Sequence, residues 1–102
     1  IRTFFEEKVE KVRKPLLVKL IDRWLKDNSM PFVVTWVDDG NSTWCWWIEP
    51  DNKEDFENRW IEITESGIDV GRRGTPQILT SYSAANPKFF SKLKVLLKRI
   101  KV

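Results

Sequence analysis

Two runs of β-branched and aromatic residues, P-F-V-V-T-W-V at Pro31–Val37 and T-W-C-W-W-I-E at Thr43–Glu49, flank Asp38-Asp39-Gly40-Asn41. No other stretch of the chain restricts the fold as much. Runs of this composition fit a pleated, half-buried surface, and a turn-forming tetrapeptide between them makes a hairpin. With Asp38-Asp39-Gly40 as a three-residue loop and Gly40 left-handed, Val37 pairs with Asn41. Because side chains alternate along a strand, Phe32, Val34 and Trp36 then share a face with Trp44, Trp46 and Ile48. The opposite face holds Val33, Thr35, Val37, Thr43, Cys45 and Trp47. A two-residue turn would divide the tryptophans between faces, so the odd loop is preferred.

An amphipathic helix precedes the hairpin. Thr3-Phe4-Phe5-Glu6 reads as a capping box. Phe5, Val9, Val12, Leu16, Leu20 and Trp24 recur at helical spacing, and Leu17, Ile21 and Leu25 widen the stripe. Pro15 interrupts it. Two arrangements fit: a helix kinked at Pro15, which the unbroken stripe favours, or Pro15 in the first turn of a second helix. Asp27-Asn28-Ser29 ends the segment.

After the hairpin, Pro50–Asn58 is an acidic connection containing Phe56. Arg59–Glu65 alternates as a strand, with Ile61 and Ile63 on one side and Trp60, Glu62 and Thr64 on the other. Ser66-Gly67 turns the chain into a short strand at Ile68–Val70, and Gly71–Pro76 is a loop. Gln77–Ser83 is the last strand. Asn86-Pro87 starts a helix as N-cap and first position, with Phe89, Phe90, Leu93, Leu96, Leu97 and Ile100 on its apolar stripe. The expected architecture is a single α+β domain over 1–102. Its mostly antiparallel sheet of four or five strands is flanked by an N-terminal helix and a basic, amphipathic C-terminal helix. With 41 % apolar residues and 13 % aromatics, the chain has the material for one core.

The absence of histidine removes most enzyme chemistry: no imidazole acid or base, no Ser-His or Cys-His nucleophile, no His-ligated zinc. The one cysteine, Cys45, makes neither an internal disulfide nor a thiolate metal site. The expectation is a non-enzymatic protein without metal or cofactor. Pro50-Asp51 followed by Glu62-Ile63-Thr64 on a strand resembles the PD…ExK pattern of metal-dependent nucleases, in which acids hold a divalent ion and a lysine assists the attacking water. Here Thr64 stands at the lysine position and Asp51 lies in a loop. A degenerate nuclease is therefore the remote alternative.

Charge is unevenly distributed. Residues 1–30 carry eight Lys/Arg and five acids, residues 31–70 two basic residues and ten acids, and residues 71–102 eight basic residues and no acid. A basic end of this kind points to a polyanionic partner. Lys88, Lys92, Lys94, Lys98, Arg99 and Lys101 surround the outer arc of the last helix. Lys94 and Lys98 repel at the i,i+4 spacing where a solvated helix usually places opposite signs. Arg72 and Arg73, held between Gly71 and Gly74, offer guanidinium forks and backbone N–H groups to a phosphate. The motif lacks the length and the lysine of a P-loop.

Six tryptophans supply the second signal. The face with Trp36, Trp44 and Trp46 meets one or both helices as core. Trp47 and Trp60 are the exposed aromatics expected to stack on bases or anchor a partner. The leading expectation is a small DNA- or RNA-binding protein with contacts from the basic 71–102 segment. The rival is a protein-interaction module or homodimer pairing acidic 38–69 with basic 71–102. Apolar runs such as Leu16-Leu17-Val18 are far short of the ~20 residues a bilayer requires. With no secretory leader and no disulfide, an intracellular location, cytoplasm or nucleus, is expected.

Overall fold

The computed structural model describes residues 14–38, 44–52 and 59–100. Helix α1 (Leu16–Asp27) leads into strands β1 (Phe32–Asp38), β2 (Trp44–Pro50), β3 (Arg59–Ile63), β4 (Gly67–Arg72) and β5 (Ile78–Ser83), and helix α2 (Phe89–Ile100) follows. The strands form one antiparallel meander in the order β1-β2-β3-β4-β5. The architecture is therefore α+β, as the sequence pattern predicts.

Both helices lie on the same face of the sheet. Val18, Ile21 and Leu25 of α1 and Phe89, Leu93 and Leu97 of α2 join one core with Phe32, Trp46, Ile48, Ile61, Ile63, Ile68 and Val70. The helices also meet each other, with the Trp24 and Phe90 rings 5.3 Å apart. Burying each aliphatic side chain of this cluster contributes about 1.5–3 kcal/mol. Trp46 belongs to the core and its ring lies 5.0 Å from that of half-buried Trp36. Helices thus cover the aromatic face of the hairpin. The Trp44 side chain, Gly40 and its turn, Phe56, the Thr3-Glu6 box and the stripe residues Phe5, Val9 and Val12 lie outside the described residues.

Several boundaries and faces differ from expectation. Helix α1 begins after Pro15, which is its N-cap with extended backbone at φ −61° and ψ 162°. The helix does not run through the proline, because proline disfavours helical backbone at the residue before it and donates no hydrogen bond of its own. The buried side of α1 centres on Val18, Ile21 and Leu25. Leu16 and Leu20, placed in the stripe by spacing, are 73 % and 48 % exposed. In the hairpin, Trp36 pairs with Trp46, Val37 with Cys45 and Asp38 with Trp44. The register is therefore shifted by four residues from the expected Val37–Asn41 pairing. An even shift preserves parity, so each residue stays on its expected face.

The ends of α1 and α2 have local causes. Ser29 takes φ 50°, Ser29 N–H donates to Lys26 C=O, and Met30 N–H donates to Leu25 C=O at 2.9 Å. These are the two bonds of a Schellman motif. Asn28 Nδ2 adds a bond to Trp24 C=O at 2.8 Å. At α2, Asn86 Oδ1 accepts from Lys88 N–H at 2.8 Å and Asn86 C=O accepts from Phe89 N–H at 2.9 Å. Asn86 is thus a cap, although regular helix begins at Phe89 rather than at Pro87.

Candidate nucleic-acid interface

Helix α2 turns Phe89, Leu93 and Leu97 inward, so its 3.6-residue period sets the intervening lysines outward. Lys88, Lys92, Lys94, Lys98 and Arg99 are all exposed, with Val95 at 57 % exposure among them. Among the described residues none of these five cations makes an ion pair. Around α1, by contrast, most cations are paired, Lys19 excepted. Lys26 and Lys14 reach Asp22 Oδ2 at 3.2 and 3.4 Å, and Arg23 Nε lies 3.8 Å from Asp27. Lys14 also sits 5.7 Å from the centroid of Trp46. The largest group of described cations without an ion pair is thus on one helix and its approach. Lys101 lies outside the described residues.

Arg72 and Arg73 are exposed at the β4–β5 connection. The expected open loop over Gly71–Pro76 is shorter than predicted, since β4 runs through Gly71 and Arg72. Gly71 pairs with Trp60 on β3 and with Ile78 on β5 across a bulge. Gly74 adopts φ 88°, and Thr75 N–H returns to Arg72 C=O at 3.2 Å. This tight turn points backbone acceptors inward. Arg72 C=O and Thr75 C=O both receive the Trp60 indole N–H at 3.0 Å.

Trp60 is consequently a buried residue, 8 % exposed, and not the stacking platform expected of it. Strand alternation does place it opposite Ile61 and Ile63. The Arg72–Thr75 turn folds over it there, and a Cβ on Gly71 would collide with its ring. Glycine opposite tryptophan leaves room for an indole to lie across the neighbouring strand. That cross-strand glycine was the available signal that sequence reasoning missed.

Trp47 stacks beside Trp60, with ring centroids 6.2 Å apart and planes 18° from parallel. It is half-buried, and its indole N–H is buried without a hydrogen-bond partner. Trp47 and Trp60 occupy the face of the sheet that the helices leave open. The cations of α2 project from the other side of the molecule. The structure therefore gathers Lys88, Lys92, Lys94, Lys98 and Arg99 on one surface but does not bring Trp47 or Trp60 to it.

The nuclease-like residues do not converge. Asp51 is exposed in a turn after β2, whereas Glu62 lies within β3 opposite Trp47. Thr64 accepts from Ser66 N–H and Gly67 N–H through Oγ1, organising the β3–β4 turn. Among the described residues no three Asp, Glu or Cys side chains are grouped to hold a metal ion. No described helix is long and apolar enough to cross a membrane. Comparison with known protein families, with curated proteins and with solved structures gives no significant match for this chain.

Proposed function

We propose that this chain is a non-enzymatic nucleic-acid-binding protein whose contact surface is the outward arc of α2. One observation carries the reading. Lys88, Lys92, Lys94, Lys98 and Arg99 are exposed together, and among the described residues no carboxylate pairs with them. Exposed cations gathered without counter-charges neutralise backbone phosphates and release condensed counterions, which gives affinity without base readout. Arg72 and Arg73, exposed at the β4–β5 turn, are a second basic element. The ligand class is DNA or RNA recognised through its backbone. Trp47 and Trp60 are not used, because they face the other way.

The test is a titration of end-labelled single-stranded and duplex oligonucleotides, followed by anisotropy at ~50 and ~200 mM salt. About six phosphate contacts give on the order of 10³-fold weakening across that range. The triple change Lys92→Glu, Lys94→Glu, Lys98→Glu abolishes binding with the circular dichroism spectrum intact. Tryptophan emission changes little on saturation. Binding that survives the triple change, or that ignores salt, overturns the reading.

A further inference from the structure

Strand β5 is the last member of the meander, and no described strand pairs with its outer edge. Its ladder to β4 shows which backbone groups face that edge. Ala84 N–H donates to Ser66 C=O at 2.7 Å, continuing the register in which Ile68 pairs with Tyr82 and Val70 with Thr80. In an antiparallel ladder every second residue exchanges its bonds with the partner strand. Thr80 and Tyr82 therefore bond to β4, whereas Ser81 and Ser83 turn their N–H and C=O groups outward. Ser83 C=O accepts from Asn86 N–H at 3.2 Å. Ser81 thus presents both of its groups at the edge, within the regular part of the strand beyond the bulge at Val70/Gly71. Edge strands are usually guarded by charge or proline. Strand β5 contains neither, and Ile78 and Leu79 at its start are 51 % and 42 % exposed. From Gly74 to Pro87 no residue is charged, in a chain that is 32 % charged.

We propose that a second copy of the chain pairs with this edge, β5 against β5, antiparallel about a two-fold axis at Ser81. A two-fold contact sets the residue on its axis against its own copy, so a charge there would repel itself. An uncharged edge is what self-pairing requires, and a different partner strand imposes no such condition. Ser81 then exchanges both backbone hydrogen bonds with Ser81 of the second copy. Beside it Thr80 faces the second copy's Tyr82 on the helix-covered side, a β-branched residue against an aromatic ring, which is a favourable cross-strand pair. On the other side Ser81 Oγ donates to Asp69 at 2.7 Å, one strand in from the edge. The two Asp69 carboxylates lie three strand spacings apart, about 14 Å, beyond the ~8 Å Debye length at physiological salt. The axis stands perpendicular to the joined sheet, so the helices of both copies stay on one side. The α2 cations take no part in the contact, which is therefore independent of the proposed nucleic-acid binding.

The experiment is sedimentation velocity on the protein alone, from ~1 to ~200 μM, at ~50 and ~500 mM salt. The weight-average sedimentation coefficient rises with concentration from the monomer to the dimer value, goes no further, and does so at both salts. Two variants place a charge on the axis, Ser81→Lys and Ser81→Glu. Ser81 is exposed, so each variant folds, which circular dichroism checks. Alone, each meets its own like charge and dimerises about fivefold more weakly than the wild type at ~50 mM salt. Mixed in equal amounts they form a one-to-one heterodimer tighter than either variant with itself, and that gain disappears at ~500 mM salt. A loss caused only by altered folding is not restored by mixing. The proposal is overturned by a wild type that is monomeric throughout, by growth past the dimer, by dissociation in high salt, or by a mixture no tighter than its components. Failure of oligonucleotide binding leaves these outcomes unaffected, so the two readings fail separately.

Discussion

Trp47 and Trp60 stack on the same face of the sheet, yet their indole N–H groups have opposite fates. Trp60 donates to two carbonyls at 3.0 Å, whereas Trp47 buries its donor without a partner. An unmade buried hydrogen bond costs about 1–3 kcal/mol, and removing a satisfied donor leaves its acceptors in that position. Trp60→Phe therefore loses both the indole volume and the link that ties the Arg72–Thr75 turn to β3. A destabilisation of about 3 kcal/mol is expected, from transfer and cavity terms with the lost bonds added. Trp47→Phe loses area but also removes the unsatisfied donor, and the net change stays within about 1 kcal/mol. Urea unfolding of the two variants checks this. Equal midpoints, or a larger loss for Trp47→Phe, would refute the assignment of a satisfied and an unsatisfied indole.

At the scale of elements, the end of α1 carries a serine where the backbone favours glycine. Ser29 sits at φ 50° in a Schellman motif, a conformation that costs a residue with a Cβ about 1–2 kcal/mol. Glycine has no such penalty but gains freedom in the unfolded chain, worth about 0.4–1 kcal/mol in the other direction. Ser29→Gly is expected to stabilise by about 0.5–1 kcal/mol on these two terms. A lower thermal midpoint for the variant contradicts the motif. The same scale shows what the sequence made legible. Strand faces were readable because parity depends only on alternation, which a four-residue register error does not disturb. The register itself was not, because it depends on where pairing stops. The pair Asp38–Trp44 closes the ladder with five residues between its members, not three. The inward face of α1 was blurred because Leu16, Leu17, Val18, Leu20 and Ile21 cover too much of the helix to define a centre. The outward lysines of α2 were legible from period alone. The burial of Trp60 was not, since it depends on a turn twelve to fifteen residues away.

For the whole molecule, the decisive fact is that both helices share one face of the sheet, which no local pattern specifies. It separates the basic surface of α2 from the sheet face that carries Glu62 and Asp69 by a helix and a strand layer. A helix alone is about 10 Å across, already beyond the ~8 Å Debye length at physiological salt. Attraction between the two surfaces of one molecule is therefore largely screened. Repulsion among the α2 cations acts over one helical turn and is screened less. The remaining exposed pairs, such as Arg23–Asp27 at 3.8 Å, contribute little. Repulsion among the exposed α2 cations therefore opposes folding, and salt relieves it. Raising sodium chloride from ~50 to ~500 mM is expected to raise the thermal midpoint by a few degrees. The same change weakens the proposed nucleic-acid binding, whose charges meet phosphates only in the complex. Salt thus has opposite signs for the fold and for that binding. A variant with Lys92→Gln, Lys94→Gln and Lys98→Gln isolates this cause: its midpoint starts higher and responds less to salt. A wild-type midpoint that falls with salt would mean that ion pairs within the chain outweigh repulsion among the α2 cations, and would remove the basis for reading that helix as an unrelieved cluster of like charge.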